Sequence, residues 1–394
     1  TDREGFPGWG AYPNGTDLLI FNKNGIEIFT CVRNCHSRIV KLSHLETGKK
    51  DGSLVENPAN YIMMAKNKET EIGKLHSTVC GIFWRCLNMK ELYPMHGIIT
   101  TVITPFKSED KSIDWPSFRR EIQLCMDAGV AGFLVPCMAS EMNMLTHDEI
   151  IQEVRETVAL AHTKEGCIVI PSITANDEET RLKQCREYLA LGVDGLNLNM
   201  PYTTDDEYCA MVRKIDDMKP PFLCIQDVSM TDDGLPDRLL LRLFDEFESV
   251  RCAKIEVKDP GPKYTRILKA TEGRMNISGA WGSSQSIEAY DRGIHALMPS
   301  GLFELFVNVY RLYHEKSREA AMKLFFDILP IIVFTRQSDS ANLSLHKRYF
   351  QRLGLYTTTK FRAPFAVDAV QAHYIEEMID RALYIRDHMD SYWQ

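Results

Sequence analysis

Short apolar runs alternate with longer helix-periodic stretches through most of this chain, and no other feature constrains its fold as tightly. Strand-like runs fall at 98–104, 129–136, 167–171, 193–199, 221–226, 251–256, 276–279 and 294–298. Helix-like stretches follow at 146–164, 177–191, 205–218, 236–247 and 262–272. Alternating units of this size require a parallel sheet covered by helices. Eight of them between residues 95 and 301 fit a closed (β/α)8 TIM barrel. A doubly wound open sheet is the alternative. No G-x-G-x-x-G follows any strand, so dinucleotide binding has no support.

Residues 302–394 read as helical, with helix periodicity at 302–314, 317–334, 343–353 and 367–386. The first of these is the last barrel helix; the others form a C-terminal helical extension. Residues 1–94 are different. They mix Gly, Asn, Lys and Cys with short apolar pieces and sustain neither period. The regular pattern begins at Met95-His-Gly-Ile-Ile, which reads as a natural start running straight into a strand. The first 94 residues are therefore expected to be an atypical extension, disordered or not native to the core domain.

Composition narrows the function class. The 46 basic and 54 acidic residues leave a net charge of −8, and no strongly basic block stands out, which argues against nucleic acid. No apolar run reaches membrane-spanning length. Residues 1–30 lack the order of a signal peptide. Seven of the eleven cysteines are scattered singly from Cys125 to Cys252, often in apolar runs. That usage suggests reduced, buried thiols and a cytoplasmic protein. Cys31, Cys35 and His36 with Cys80 and Cys86 can be read as a zinc site, but the spacing is irregular for one and four incidental thiols is the plainer reading. The Asn14-Gly-Thr16 sequon means little without a leader peptide.

In a barrel the chemistry lies at the C-terminal ends of the strands. Those ends supply Thr104, Cys137 to Glu141, Ser172, Thr174, Asn199 to Thr203, Gln226, Asp227, Lys254, Glu256, Ser278 and Gly279. Lys254 stands out, alone in the apolar run Val250-Arg-Cys-Ala-Lys-Ile-Glu256. Burial disfavours an ammonium ion, and a neutral amine can attack a ketone to form a Schiff base. The plainer reading is a lysine that snorkels or pairs with Glu256 or Asp227. Residues i and i+2 share one face of a strand, so Lys254 and Glu256 can both point inward. The loop at Met138, Ala139 and Ser140 can present backbone amides to a carboxylate.

Six motifs in order sharpen this picture. Thr104-Pro-Phe106 resembles T-P-F, and Cys137-Met-Ala-Ser-Glu141 with Leu145-Thr-His-Asp-Glu149 takes the place of G-T-T-G-E and L-x-x-x-E. Pro201-Tyr202 resembles the start of P-Y-Y, and Gln226-Asp227 takes the place of Y-N. Ala253-Lys-Ile-Glu256 resembles the I-K-E segment, and Ser278-Gly279 the following S-G. Residues 95 to about 388 thus resemble the dihydrodipicolinate synthase/N-acetylneuraminate lyase family of Schiff-base class I aldolases. The resemblance implies a lyase or aldolase acting on a pyruvate-like 2-keto acid through Lys254. It implies no cofactor and no metal, and a homotetramer or homodimer. A sugar-acid dehydratase using the same lysine, or a non-catalytic ligand-binding member, are the alternatives.

The departures matter equally. The family's relay of one threonine and two tyrosines corresponds to Met138, Thr203 and Gln226, none of them a phenol. Gln226 cannot titrate near neutral pH, which leaves Asp227 or Glu256 as acid/base candidates. The arginine that binds the synthase's second substrate is replaced by Thr231, followed by Asp232 and Asp233. Loss of that anion clamp argues against a true dihydrodipicolinate synthase and for a neutral or polyhydroxylated aldehyde as the second substrate.

Overall fold

The computed structural model describes residues 95–280 and 283–394, together with three strands nearer the N-terminus. The chain divides into two compact units, Thr1–Ile82 and Phe83–Gln394. In the first, Leu18–Asn22, Gly25–Phe29 and Ile39–Lys41 pair in that order as an antiparallel sheet.

The second unit is a (β/α)8 barrel with added helices. Its strands are β1 (Gly97–Thr101), β2 (Gly132–Leu134), β3 in two pieces (Ile168–Val169 and Ser172–Ile173), β4 (Leu196–Leu198), β5 (Leu223–Ser229), β6 (Val250–Val257), β7 (Asn276–Gly279) and β8 (Ala296–Leu297). All neighbouring pairs are parallel. The order runs from the first piece of β3 through β2, β1, β8, β7, β6, β5 and β4 to the second piece of β3. One interrupted strand therefore supplies both ends and closes the ring. Pro171 causes the interruption, because it has no N–H for the ladder. The amide before it, Ile170 N, donates to Phe133 O of β2 at 2.9 Å, while Pro171 O accepts from Asn197 N of β4 at 2.9 Å.

The covering helices are α1 (Trp115–Ala128), α2 (His147–Ala161), α3 (Glu178–Ala190), α4 (Asp205–Asp216), α5 (Asp237–Glu246), α6 (Pro260–Ala270), α7 (Ser286–Asp291) and α8 (Phe303–Arg311). Sequence periodicity had not marked α1, although its ends are signalled. Asp114 caps it by accepting from Ser117 N, Pro116 lies in the first turn, and Gly129 closes it in the left-handed region at φ 96°. Gly129 thus belongs to a helix end and not to the strand expected from 129. Helix α2 opens on a reciprocal capping box between Thr146 and Glu149.

Three longer helices follow: α9 (Arg318–Thr335), α10 (Asp339–Arg352) and α11 (Ala369–Asp387). Helix α10 starts four residues before the expected 343, because Ser338 caps it through Ala341 N. The segment after α10 crosses the barrel end beside β1 and α1. There Thr358 Oγ1 donates to Phe106 O at 2.7 Å, Thr357 Oγ1 to Asp114 at 2.8 Å, and Arg120 to Leu355 O at 2.7 Å. Among the described residues no helix is long and apolar enough to cross a membrane.

Candidate active site

The register of the central strands brings three expected residues together. Lys254 pairs with Gln226 of β5 on one side and Ser278 of β7 on the other. Side chains of paired residues in a parallel sheet share a face, and here that face is the barrel interior. Lys254 is only 5% exposed. Its Nζ lies 3.3 Å from Glu256 Oε2, and the amide of Gln226 donates to the same oxygen at 3.3 Å. Asn197 of β4 holds Gln226 in turn, donating to Oε1 at 2.8 Å and lying 3.3 Å from Ser172 Oγ. A polar ladder, Ser172–Asn197–Gln226–Glu256–Lys254, therefore crosses the barrel over four strands. Asn197 was not among the sequence candidates, which took Asn199 at the strand end. Period-two alternation between Leu196 and Leu198 carried the signal.

Asp227 does not join this ladder. It follows Gln226 on the strand and so faces outward, where it is fully buried against α6. Its carboxylate sits 2.5 Å from Lys263 Nζ and accepts from Leu235 N at 2.7 Å. Burial raises its pKa, and Lys263 opposes that rise. Gly234, at φ 69°, is required here: a Cβ would lie 2.1 Å from Asp227 Oδ1. Asp227 and Lys263 shape the turn after β5 from behind the barrel wall.

The loop after β2 contains two 3-10 turns, Met138–Ser140 and Met142–Met144, joined at Glu141 in the left-handed region at φ 52°. Ser140 is wholly buried and donates its hydroxyl to Val102 O at 2.7 Å. The amides of Ser140 and Glu141 donate within the turn, to Cys137 O at 3.1 Å and Met138 O at 3.0 Å. Thr104 Oγ1 lies 2.9 Å from Ser140 O and 2.6 Å from Glu153 Oε1 of α2. Glu141 is fixed from the C-terminal extension. Lys347 of α10 reaches Oε1 at 2.7 Å, and the amides of Arg362 and Ala363 donate to Oε2 at 2.9 and 2.8 Å. Lys347 also lies 4.5 Å from the ring centres of Phe106 and Phe361. Burial lowers its pKa to about 8, against the pull of Glu141. Burial likewise pushes Glu153, and Glu121 of α1, up to about 8. Tyr356 donates its hydroxyl to this group at Glu121 and Ile103 O. Glu141 stood among the strand-end residues of the sequence, but its partners Lys347 and Arg362 were not singled out, because they lie more than 200 residues away.

Three thiols are buried near Lys254 or against one another. Burial raises the Cys137 thiol, while Ser140 and then Lys254 pull it the other way. Burial pushes Cys224 up to about 12 and Cys252 well above the ordinary thiol range. Among the described residues no group of three or more His, Cys, Asp or Glu side chains could hold a metal ion. Cys31, Cys35, His36, Cys80, Cys86 and the Asn14 sequon lie outside the described residues.

Comparison with known proteins bears on these features. A model of the dihydrodipicolinate synthetase family matches residues 94–213. A 4-hydroxy-tetrahydrodipicolinate synthase of Koribacter versatilis is 26% identical over 155 residues, 38% of this chain and 50% of that protein. One of Moorella thermoacetica is 33% identical over 108 residues, 27% of this chain and 35% of that protein. The chain thus spans half or less of the length of these relatives. The crystal structure of dihydrodipicolinate synthase from Rhodopseudomonas palustris superposes with a TM-score of 0.67 at 20% identity, covering 73% of this chain and 98% of that one. The synthase from Methylacidiphilum fumariolicum gives 0.69 at 17% identity, covering 76% and 100%. Over residues 94–213 the chain is similar to the dihydrodipicolinate synthetase family, and its barrel has the fold of these synthases.

The positions that resemble the family's motifs are arranged unevenly around Lys254. Ser278 is buried beside it in register. Gly279 faces the other way, since a Cβ there would lie 2.8 Å from Tyr264 Oη and from a Leu297 methyl. Met138 is 64% exposed on the loop after β2, and Ala139 is buried beneath it. Thr203 is exposed and gives its hydroxyl to Glu207 of α4. Thr231 is exposed in a turn where Ser229 Oγ accepts its amide at 3.4 Å. The two acidic residues after it are not equivalent: Asp233 is paired with Arg266 at 3.0 Å, and Asp232 accepts from Gly234 N at 2.8 Å.

Proposed function

We propose that this chain is a lyase or aldolase that binds a pyruvate-like 2-keto acid as a Schiff base on Lys254. The observation that carries the reading is the placement of one nearly buried lysine on the inward face of β6, with its Nζ 3.3 Å from the Glu256 carboxylate. The amine attacks the ketone carbon and water leaves, giving an iminium. The iminium withdraws electrons, so a proton on the adjacent carbon becomes removable and an enamine forms. Glu256 is the acid/base group within reach, in place of the missing phenols. Gln226 and Asn197 hold Glu256 in position through the ladder. Asp227 has no part in the step, because it lies behind the wall. The keto acid's carboxylate lies toward Met138, Ala139 and Ser140, on the turn that Glu141 and Lys347 fix.

Borohydride reduction in the presence of pyruvate tests this directly. The full-length protein gains a stable mass on Lys254, read by peptide mass spectrometry. Lys254→Arg gains none, because a guanidinium does not deprotonate to a nucleophile. An adduct in the arginine variant, or none in the native protein, refutes the assignment. The second outcome favours a ligand-binding protein without imine chemistry.

A further inference from the structure

The wall beside Lys254 is apolar where it rises to the mouth. Val228 sits two residues after Gln226 on β5, on the same inward face. Register pairs it directly with Glu256. It is 39% exposed, and Met230, just past the strand's end, is 48% exposed. Met138 projects from the loop after β2 at the same end of the barrel. Met144 and Tyr202, on the loops after β2 and β4, are exposed as well. Among the described residues the other exposed large apolar side chains are on α9 and α11, outside the barrel.

Several of the polar groups near this rim are already engaged. Tyr202 donates its hydroxyl to Asp205 at 2.7 Å and accepts from Arg238 at 3.2 Å. Thr203 is spent on Glu207. Ser229 Oγ accepts the amides of Thr231 and Asp232 at 3.4 and 3.3 Å. The Gln226 amide is held between Asn197 and Glu256. A hydroxylated chain laid against Val228, Met230 and Met138 would lose water and find few partners. An aromatic or aliphatic group gains by the same burial, and methionine adapts its shape to an aromatic face.

We infer that the carbonyl partner of the keto-acid imine is an apolar or aromatic aldehyde, seated against Val228, Met230 and Met138. The inference rests on the imine reading above and narrows the neutral or polyhydroxylated partner expected from the sequence. In the condensing direction the enamine carbon attacks the aldehyde carbon, and one C–C bond forms. The aldehyde's C=O electron pair takes the proton that Glu256 removed earlier and becomes a hydroxyl. The iminium regenerated on Lys254 is hydrolysed by water, which releases a 4-hydroxy-2-keto acid and the free amine.

The test pairs pyruvate with benzaldehyde and, separately, with D-glyceraldehyde, using the full chain and expressing rates per trapped imine. A pocket contact worth one methylene group discriminates by roughly 10- to 200-fold, so kcat/KM for benzaldehyde should exceed that for glyceraldehyde by about tenfold or more. Val228→Thr and Met230→Ser each lower that ratio several-fold. The inference is overturned if glyceraldehyde matches or exceeds benzaldehyde, if the variants leave the ratio unchanged, or if an imine-forming enzyme turns over neither aldehyde. In those three cases the Lys254 adduct with pyruvate still forms and the imine reading stands. An absent adduct instead removes the imine reading and this inference with it.

Discussion

Replacing Lys347 with methionine separates the clasp on Glu141 from everything else that holds the loop after β2. Both side chains are fully buried, and their charged atoms are 2.7 Å apart. Methionine keeps most of the lysine stem between the rings of Phe106 and Phe361, so little cavity is created. What remains is the Glu141 charge without its counter-ion and the Lys360 carbonyl without the Lys347 donor that lay 2.8 Å away. Breaking a buried pair this way costs about 3–5 kcal/mol. Glu141 Oε2 keeps its two amide donors, from Arg362 and Ala363, which places the cost at the lower end. A loss of about 3 kcal/mol lowers the melting temperature of a domain of this size by about 6–12 °C. Adding Glu141→Gln removes the stranded charge and returns about half of that loss. Scanning calorimetry of the native, single and double variants at pH 7 measures both steps. A fall below about 2 °C in the single variant, or a double variant that melts no higher than the single, would refute this account of the clasp.

Two further outcomes follow from buried carboxyl groups. Asp227→Asn leaves Lys263 without its counter-ion and should cost about 3 kcal/mol in thermal stability, while the pyruvate adduct forms on Lys254 as in the native protein. Loss of the adduct in a folded Asp227→Asn protein would bring Asp227 back into the chemistry. Glu153 has its pKa raised by burial from 4.5 to about 8. The folded protein therefore keeps a proton that the unfolded chain has lost, and stability drains away as pH rises through that window. Glu153→Gln removes this contribution, so the melting temperature of the native protein relative to the variant should fall between pH 5 and pH 8; a difference that stays constant with pH would be inconsistent with a buried neutral carboxyl.

The barrel was legible because its strands are apolar on both faces, a pattern that runs such as Gly129 to Pro136 or Pro221 to Gln226 display openly. Boundaries were less so. Gly129 reads equally as strand or helix cap until the capping Asp114 is weighed with it, and β5 continues to Ser229 because Val228 and Ser229 pair with Glu256 and Val257. At the site, Lys254, Glu256 and Gln226 were found because i, i+2 spacing and strand register act locally. Asp227 was misjudged for the same reason, since one residue along a strand reverses the face. Asn197 hides between two leucines in a run that looks like plain core. The clasp of Glu141 by Lys347, Arg362 and Ala363 depends on contacts across more than 200 residues, and no local pattern announces it.

The thiols beside Lys254 have a consequence for chemoselectivity. Cys224 and Cys252 lie one inward step below Gln226 and Lys254, Cys137 stands at the start of the loop after β2, and sulfur is ordinarily the better nucleophile toward an electrophilic carbonyl. Only the thiolate form competes, however, and burial keeps all three of these groups protonated at neutral pH. Hemithioacetal formation and sulfur alkylation by reactive aldehydes are suppressed by this protonation together with burial, since Cys224 and Cys252 are wholly buried and Cys137 nearly so. The same protonation makes these cysteines slow to oxidise, so the pocket stays chemically silent except at nitrogen.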